Sequence, residues 1–148
     1  MKRALHTLVL IACAGDPVVD RAETALGPEK PGEIPGPYHR AGQPCTTCHR
    51  DDGPAPSFAV AGTVLGGGGV TVTLADRGGA RRTVVTNDVG NFFVTSDEWS
   101  PQWPITVKLA SGDGTTRAME TPIFREGSCA KCHRDPKGPS SAGPVTAP

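Results

Sequence analysis

At 148 residues and 15.3 kDa, the chain is long enough for one modest domain with tails and too short for two full-sized cores. The hydrophobic fraction of 36% and the aromatic fraction of 5% are low, while 19 Gly and 15 Pro are abundant, and this balance disfavours large helical domains. The formal net charge is zero, so we expect neither a nucleic-acid partner nor electrostatic binding to an anionic membrane surface.

The N-terminus has the layout of an export signal, with Lys2 and Arg3 before a mostly apolar run that ends at Ala12. This run is too short to span a bilayer as a mature helix. The letters "LIAC" at its end resemble the lipobox of bacterial lipoproteins, in which the signal is removed before the cysteine and that cysteine is acylated. We therefore expect a signal peptide over residues 1–12, lipidation of Cys13, and a bacterial protein anchored at the cell envelope, periplasmic or on the outer surface. An ordinary secretory signal cut further on is the alternative.

Two segments lack any apolar periodicity. Residues 13–37 are rich in Pro, Gly and charge, which predicts a flexible tether. Residues 138–148 likewise show no apolar pattern, which predicts a disordered tail.

Between these ends, residues 58–124 form short segments rich in Val, Thr and Phe, separated by glycine-containing turns. Six of them are predicted strands: "FAVAGTV", "VTVTLAD", "RRTVVT", "NFFVTS", "ITVKLA" and "TTRAME". Apolar residues alternate with others in two of them, at 70, 72 and 74 and at 105, 107 and 109, so one face of each strand is expected on a core. We predict a mainly β fold, a small antiparallel β-sandwich flanked by two short, loop-rich arms. The "GGGG" at 66–69 is predicted to be a hairpin turn.

The stretch "AGTVLGGGGVTVTLADRGGARRTVVTNDVGNFFV" resembles the carboxypeptidase-regulatory-like domain, a small prealbumin-type β-sandwich. The shared features are an opening G-x-V strand, a G-V-x-V-x-L strand and a turn and strand of the form D-x-G-N-F-x-V. The similarity covers roughly residues 58–124. It implies a spacer or binding module without catalysis of its own.

Four of the five cysteines lie in two copies of one frame, "CTTCHR" at 45–50 and "CAKCHR" at 129–134. Cys-x-x-Cys-His is the attachment signature of c-type haem. Two intervening residues put both sulfurs on one side of a single turn, at a separation that suits the two vinyl positions of the ring, and the adjacent imidazole can reach the iron. The frames also resemble those of multihaem cytochromes c, which implies two covalently attached haems with the following binding residues: Cys45, Cys48 and the proximal ligand His49, then Cys129, Cys132 and the proximal ligand His133.

A proximal histidine leaves the sixth position of an iron open, and the remaining inventory of ligands is short. Without the signal peptide, His39 is the only further histidine and Met119 the only methionine. We expect these two residues to be iron ligands, giving one His/His and one His/Met haem, with the assignment to either haem open. A solvated His39 and a gap-filling Met119 are the alternatives. Arg50, which follows a ligand histidine, is expected either to pair with haem propionates or to remain solvated.

Zinc and disulfides are the competing uses of the cysteines. A zinc ribbon separates its two cysteine pairs by about 15–20 residues, whereas residues 49–128 lie between these pairs. Neither zinc nor disulfides would use His49 and His133.

The arms, at 38–57 and 125–137, flank the sandwich, and we expect its two ends to hold them side by side. The sequence favours an exported dihaem cytochrome c that carries electrons between redox protein partners and is not an enzyme. Two alternatives remain: a peroxidase-like haem enzyme with an open axial site, and a non-redox binding module with zinc or disulfides at the cysteine pairs.

Overall fold

The computed structural model describes residues 16–148, so the expected signal peptide and Cys13 lie outside the described residues. All six predicted strands are present. The elements in chain order are the helix α1 (Pro17–Leu26), a 3-10 turn (Cys45–Thr47), β1 (Phe58–Thr63), β2 (Thr71–Asp76), β3 (Arg81–Val85), β4 (Asn91–Thr95), β5 (Ile105–Ala110), β6 (Thr116–Ala118) and a second 3-10 turn (Cys129–Lys131).

The strands form two antiparallel sheets, and the prediction of a small, mainly β sandwich is confirmed. One sheet has two strands, β1 and β4, and the other has four, in the order β3, β2, β5, β6. The "GGGG" segment joins β1 to β2, which belong to different sheets, so the hairpin prediction is wrong. A glycine-rich segment can connect two strands of one sheet or two strands of different sheets. Only the pairing of the strands distinguishes these connections.

The core lies between the sheets, as the alternation of apolar residues predicts. Val72, Leu74 and Ile105 are fully buried, while Thr106 and Lys108 on the other face of β5 are exposed. Val60 and Val94 from the two-stranded sheet belong to the same apolar cluster, together with Trp99 from the loop after β4.

The helix α1 falls inside the segment expected to be a flexible tether, and for these ten residues that prediction is wrong. The helix begins with capping chemistry: Asp16 accepts the N–H of Val18 at 2.8 Å, and Pro17 occupies the first turn. None of its residues is fully buried, but Val19, Ala22 and Leu26 are partly buried and share one face at helical spacing, a short apolar stripe that the sequence prediction overlooked. No helix within residues 16–148 has the length and apolarity needed to cross a membrane.

The last residues of the chain are ordered against the sandwich, so the prediction of a disordered tail is also wrong. The N–H of Leu65 donates to the carbonyl of Val145 at 2.8 Å, and Val145 and Ala147 pack on the core. Ser141 is buried and its hydroxyl donates to the carbonyl of Cys132 at 3.0 Å. These partners are distant in sequence, and a local apolar pattern cannot reveal them.

Candidate functional site: two Cys-x-x-Cys-His turns on one strand

The two frames fold into the same local structure, which we call the first turn (residues 45–49) and the second turn (residues 129–133). In each, the carbonyl oxygen of the first cysteine accepts the backbone N–H groups of the second cysteine and of the histidine. The N–O distances are 3.2 and 3.0 Å for the turn at Cys45, and 3.1 and 2.7 Å for the turn at Cys129. The short spacing of the motif therefore closes both cysteines and the histidine into one tight turn at each site.

Each histidine is held through the same ring nitrogen. The Nδ1 atom of His49 lies 2.7 Å from the carbonyl oxygen of Pro56, and that of His133 lies 2.9 Å from the carbonyl oxygen of Gly143. Because a carbonyl oxygen only accepts, Nδ1 of the neutral imidazole carries the proton and Nε2 keeps its lone pair. A hydrogen bond at the second nitrogen is how proteins usually orient a metal-binding histidine.

Strand β1 carries both turns. The N–H of Phe58 donates to the carbonyl of His49 at 3.0 Å, and the N–H of Ala61 donates to the carbonyl of Gly127 at 2.9 Å. A parallel β-bridge also joins Ala61 to Ser128. The two arms, which are remote in sequence, are thus both attached to one short strand of the two-stranded sheet.

The first cysteine of each turn is partly buried, and its thiol is uncharged at neutral pH. Burial raises the pKa of Cys45 to about 11 and that of Cys129 to about 12, and the nearby Cys45 also raises the latter. Cys132 is exposed and Cys48 is partly buried. Cys129 packs closely on β1: a Cβ at Gly62 would lie 2.6 Å from its Sγ.

The four cysteines are unpaired and do not converge on one point. Within residues 16–148, no three His, Cys, Asp or Glu side chains are close enough together to hold a single metal ion. The thiols are therefore not arranged as a tetrathiolate zinc site needs them to be.

His39 lies beside the first turn. The centroid of its ring is 5.8 Å from that of His49, and its Nδ1 is 3.9 Å from a carboxylate oxygen of Glu29. The Nδ2 of Asn91 donates to the carbonyl of His39 at 3.0 Å and so ties this loop to β4. The loop before the first turn is therefore docked on the two-stranded sheet.

Met119 lies elsewhere. It follows β6 at the edge of the four-stranded sheet, is 37% exposed, and donates its N–H to the carbonyl of Val107 at 2.9 Å. The structure thus groups His39 with the first turn and leaves Met119 on the sheet that does not carry the turns.

Phe58 is a site residue that sequence reasoning missed. Its ring stacks on that of His49 with centroids 3.9 Å apart and an interplanar angle of 7°, and Phe93 stacks on its other side at 4.6 Å. In the sequence Phe58 has the pattern of an ordinary strand residue, and no local signal separates it from other apolar positions.

An open cleft of about 410 Å³ lies next to the first turn. Its walls include His49, Phe58, Trp99, Trp103 and Arg125, so the loop after β4 and the segment before the second turn both border it. Its volume falls in the range of about 300–1,000 Å³ that is usual for ligand sites.

Trp99 Nε1 is buried and has no hydrogen-bond partner within the described part of the chain.

Arg50 is paired with carboxylates of the chain itself. Its Nη1 is 2.6 Å from Glu23 and its Nε is 3.0 Å from Asp52. The hydrogen bond that Arg50 donates to Glu23 is the main cause of the raised pKa of the guanidinium. Since Glu23 belongs to α1, this pair attaches the helix to the first turn.

The donor set of each turn suits a covalently held haem. Two thiols one turn apart match the two vinyl groups, and an imidazole with a free Nε2 matches the iron. Both features occur at both turns.

No protein-family model matches the chain, and no curated protein or solved structure is significantly similar to it.

Proposed function

We propose that this chain is a dihaem cytochrome c that carries electrons. The observation that carries the proposal is the shared state of the two histidines, each held at Nδ1 by a backbone carbonyl with Nε2 free. A zinc or disulfide use of the cysteines requires neither hydrogen bond. Haem iron would supply one-electron oxidation and reduction at each turn.

For the first haem we propose His39 and His49 as the two axial ligands. His39 lies beside the first turn, with its ring centroid 5.8 Å from that of His49 and the two rings stacked at an interplanar angle of 29°. Because a ligand must point a ring nitrogen at the iron, ligation would require the ring of His39 to turn away from this stacked arrangement. Glu29 lies 3.9 Å from Nδ1 of His39, which leaves Nε2 for the metal. The second haem has His133 as its proximal ligand, and Met119 remains a candidate for its sixth position.

Thioether attachment takes place outside the cytoplasm, so this function agrees with the export signal and the lipid anchor proposed at Cys13. The partners are then redox proteins at the cell envelope. A closed iron at the first turn would favour electron transfer over peroxide chemistry there, because a six-coordinate iron offers no open site to a substrate.

The decisive experiment is expression in a host with a haem-attachment system, followed by mass spectrometry and absorption spectroscopy. We expect a coloured protein whose mass is increased by two haems, with a low-spin spectrum for the first site. Metal analysis on the same sample distinguishes iron from zinc. A colourless protein with bridged thiols or bound zinc contradicts the proposal, and a high-spin spectrum for both haems favours the peroxidase-like enzyme.

A further inference from the structure

One carboxylate joins the two turns, although they are far apart in sequence. The hydroxyl of Thr46 donates to Oε1 of Glu126 at 3.0 Å, and the backbone N–H of Ser128 donates to the same oxygen at 2.9 Å. Thr46 lies between the cysteines of the first turn, and Ser128 immediately precedes Cys129. Glu126 is therefore a direct bridge between the two attachment sites.

The bridge is part of a tightly packed segment. Ser128 is 1% exposed, so its N–H would be a buried unpaired donor if Glu126 were removed. Gly127, which precedes Ser128, also packs tightly on β1, because a Cβ at this position would lie 2.1 Å from the carbonyl oxygen of Ala59. The second turn cannot shift along β1 without breaking these contacts.

The two turns also lie close together, since the hydroxyl of Thr46 and the backbone nitrogen of Ser128 are each within 3.0 Å of the same carboxylate oxygen. The charge of Glu126 therefore lies between the turns and would interact with groups attached at either one. Such interactions are strong where water is excluded and weaken as the distance increases.

We propose that Glu126 is a positioning residue that holds the two haem-attachment turns at one separation, so that the two irons behave as a coupled pair. This inference rests on the proposed function. The carboxylate has two separable effects: its oxygen accepts two hydrogen bonds, and its charge stabilises the more positive, oxidised state of both irons. Glu126→Gln keeps an acceptor oxygen and removes the charge, whereas Glu126→Ala removes both.

The test uses the dihaem protein and three variants, Glu126→Gln, Glu126→Ala and Thr46→Val, with Asp113→Asn as the control. Asp113 is exposed and lies in the turn between β5 and β6 of the other sheet. Spectroelectrochemistry gives the two reduction potentials, electron paramagnetic resonance of the oxidised protein gives the magnetic coupling of the irons, and hydrogen exchange gives the protection of the Ser128 amide. A purely structural role of Glu126 would not move the potentials in Glu126→Gln.

We expect Glu126→Gln to shift both potentials to more positive values and to keep the magnetic coupling, while Asp113→Asn changes neither the potentials nor the coupling. Glu126→Ala should weaken the coupling and speed exchange of the Ser128 amide about tenfold or more. Thr46→Val should weaken the coupling and leave the Ser128 amide protected.

The inference is overturned if the two Glu126 variants bind two haems and show the potentials, the coupling and the Ser128 protection of the parent protein. If Glu126→Ala does not fold, Glu126→Gln and Thr46→Val decide the outcome by themselves. Failure of the parent chain to bind haem is a different result, because it contradicts the proposed function. Exchange of the Ser128 amide in the haem-free variants then still reports whether Glu126 holds the second turn.

Discussion

The two turns are nearly identical in local structure and different in their surroundings. At the first turn, the imidazole of His49 is covered by Phe58 and lies near His39, beside an open cleft. At the second turn, Cys129 packs against Gly62 and the residues on either side of this cysteine are buried. The motif determines the local structure of each turn, and the rest of the fold determines which residues surround it.

This difference means that the two sites are not equivalent. The first has a second histidine beside it, and the second is enclosed by the C-terminal segment, which supplies the carbonyl of Gly143 to His133. Axial ligands and burial both set the reduction potential of a haem. Two unequal sites on one strand would give electron flow through the protein a preferred direction.

The largest effect is expected when either turn loses its cysteines. Cys45→Ser with Cys48→Ser should leave only the second haem, and Cys129→Ser with Cys132→Ser only the first, because thioether attachment needs the thiols of its own turn. Mass spectrometry under denaturing conditions counts the haems that remain. A double variant that keeps two covalent haems would contradict the assignment of the turns.

The second-largest effect is expected on the spin state of each haem when its candidate sixth ligand is removed. His39→Ala should convert the first haem from low spin to high spin and leave the second unchanged, whereas Met119→Leu should leave the first haem unaltered. Absorption and electron paramagnetic resonance spectra of the single-haem variants separate the two sites. If His39→Ala leaves the first haem low-spin at its original potential, His39 is not its ligand.

The haem-free protein should lose stability in alkaline solution. The pKa of Cys45 is raised from 9.0 to about 11 in the folded state, so unfolding releases a proton between these values and stability falls as pH rises. Cys129, with its pKa raised to about 12, acts in the same direction. The stabilisation by each thiol is complete below about pH 9, and it amounts to about 3 kcal/mol for Cys45 and to more for Cys129.

Urea unfolding of the haem-free protein between pH 8 and pH 11 measures this loss. The matched control is the haem-free Cys45→Ser, Cys129→Ser variant, whose stability should depend less on pH in this range. The dihaem protein should also lack this dependence, since thioether sulfur carries no proton. Equal pH slopes for the parent and the control variant would show that the two thiols do not govern alkaline stability.

A smaller effect tests the packing of the second turn. Gly62→Ala forces a Cβ to within 2.6 Å of Cys129 Sγ and should lower the free energy of unfolding by about 1–3 kcal/mol. Gly112 has open space around its Cβ position, so Gly112→Ala is the control and should change stability by less than about 0.5 kcal/mol. Urea denaturation of both variants gives the comparison, and equal stabilities would show that Cys129 is not packed on Gly62.

Some of the features that the sequence did not reveal had readable signals. Asp16 and Pro17 form a recognisable helix start, Gly27 marks the helix end, and Val19, Ala22 and Leu26 recur at helical spacing, so α1 could have been predicted. The C-terminal segment had no such signal, because its contacts are with Leu65 and Cys132. Capping residues can therefore reveal a helix such as α1, whereas no local feature reveals how the C-terminal segment packs.

Patterns of short spacing could be read from the sequence. The two Cys-x-x-Cys-His turns follow from hydrogen bonds within five residues, and the buried faces of β2 and β5 follow from a period of two. Long-range packing establishes which sheet each strand joins, which carbonyl holds each histidine, that His39 lies at the first turn, and that Glu126 bridges both turns. These contacts join residues far apart in the chain, and they form because packing of the sandwich brings the segments together, which no local pattern encodes.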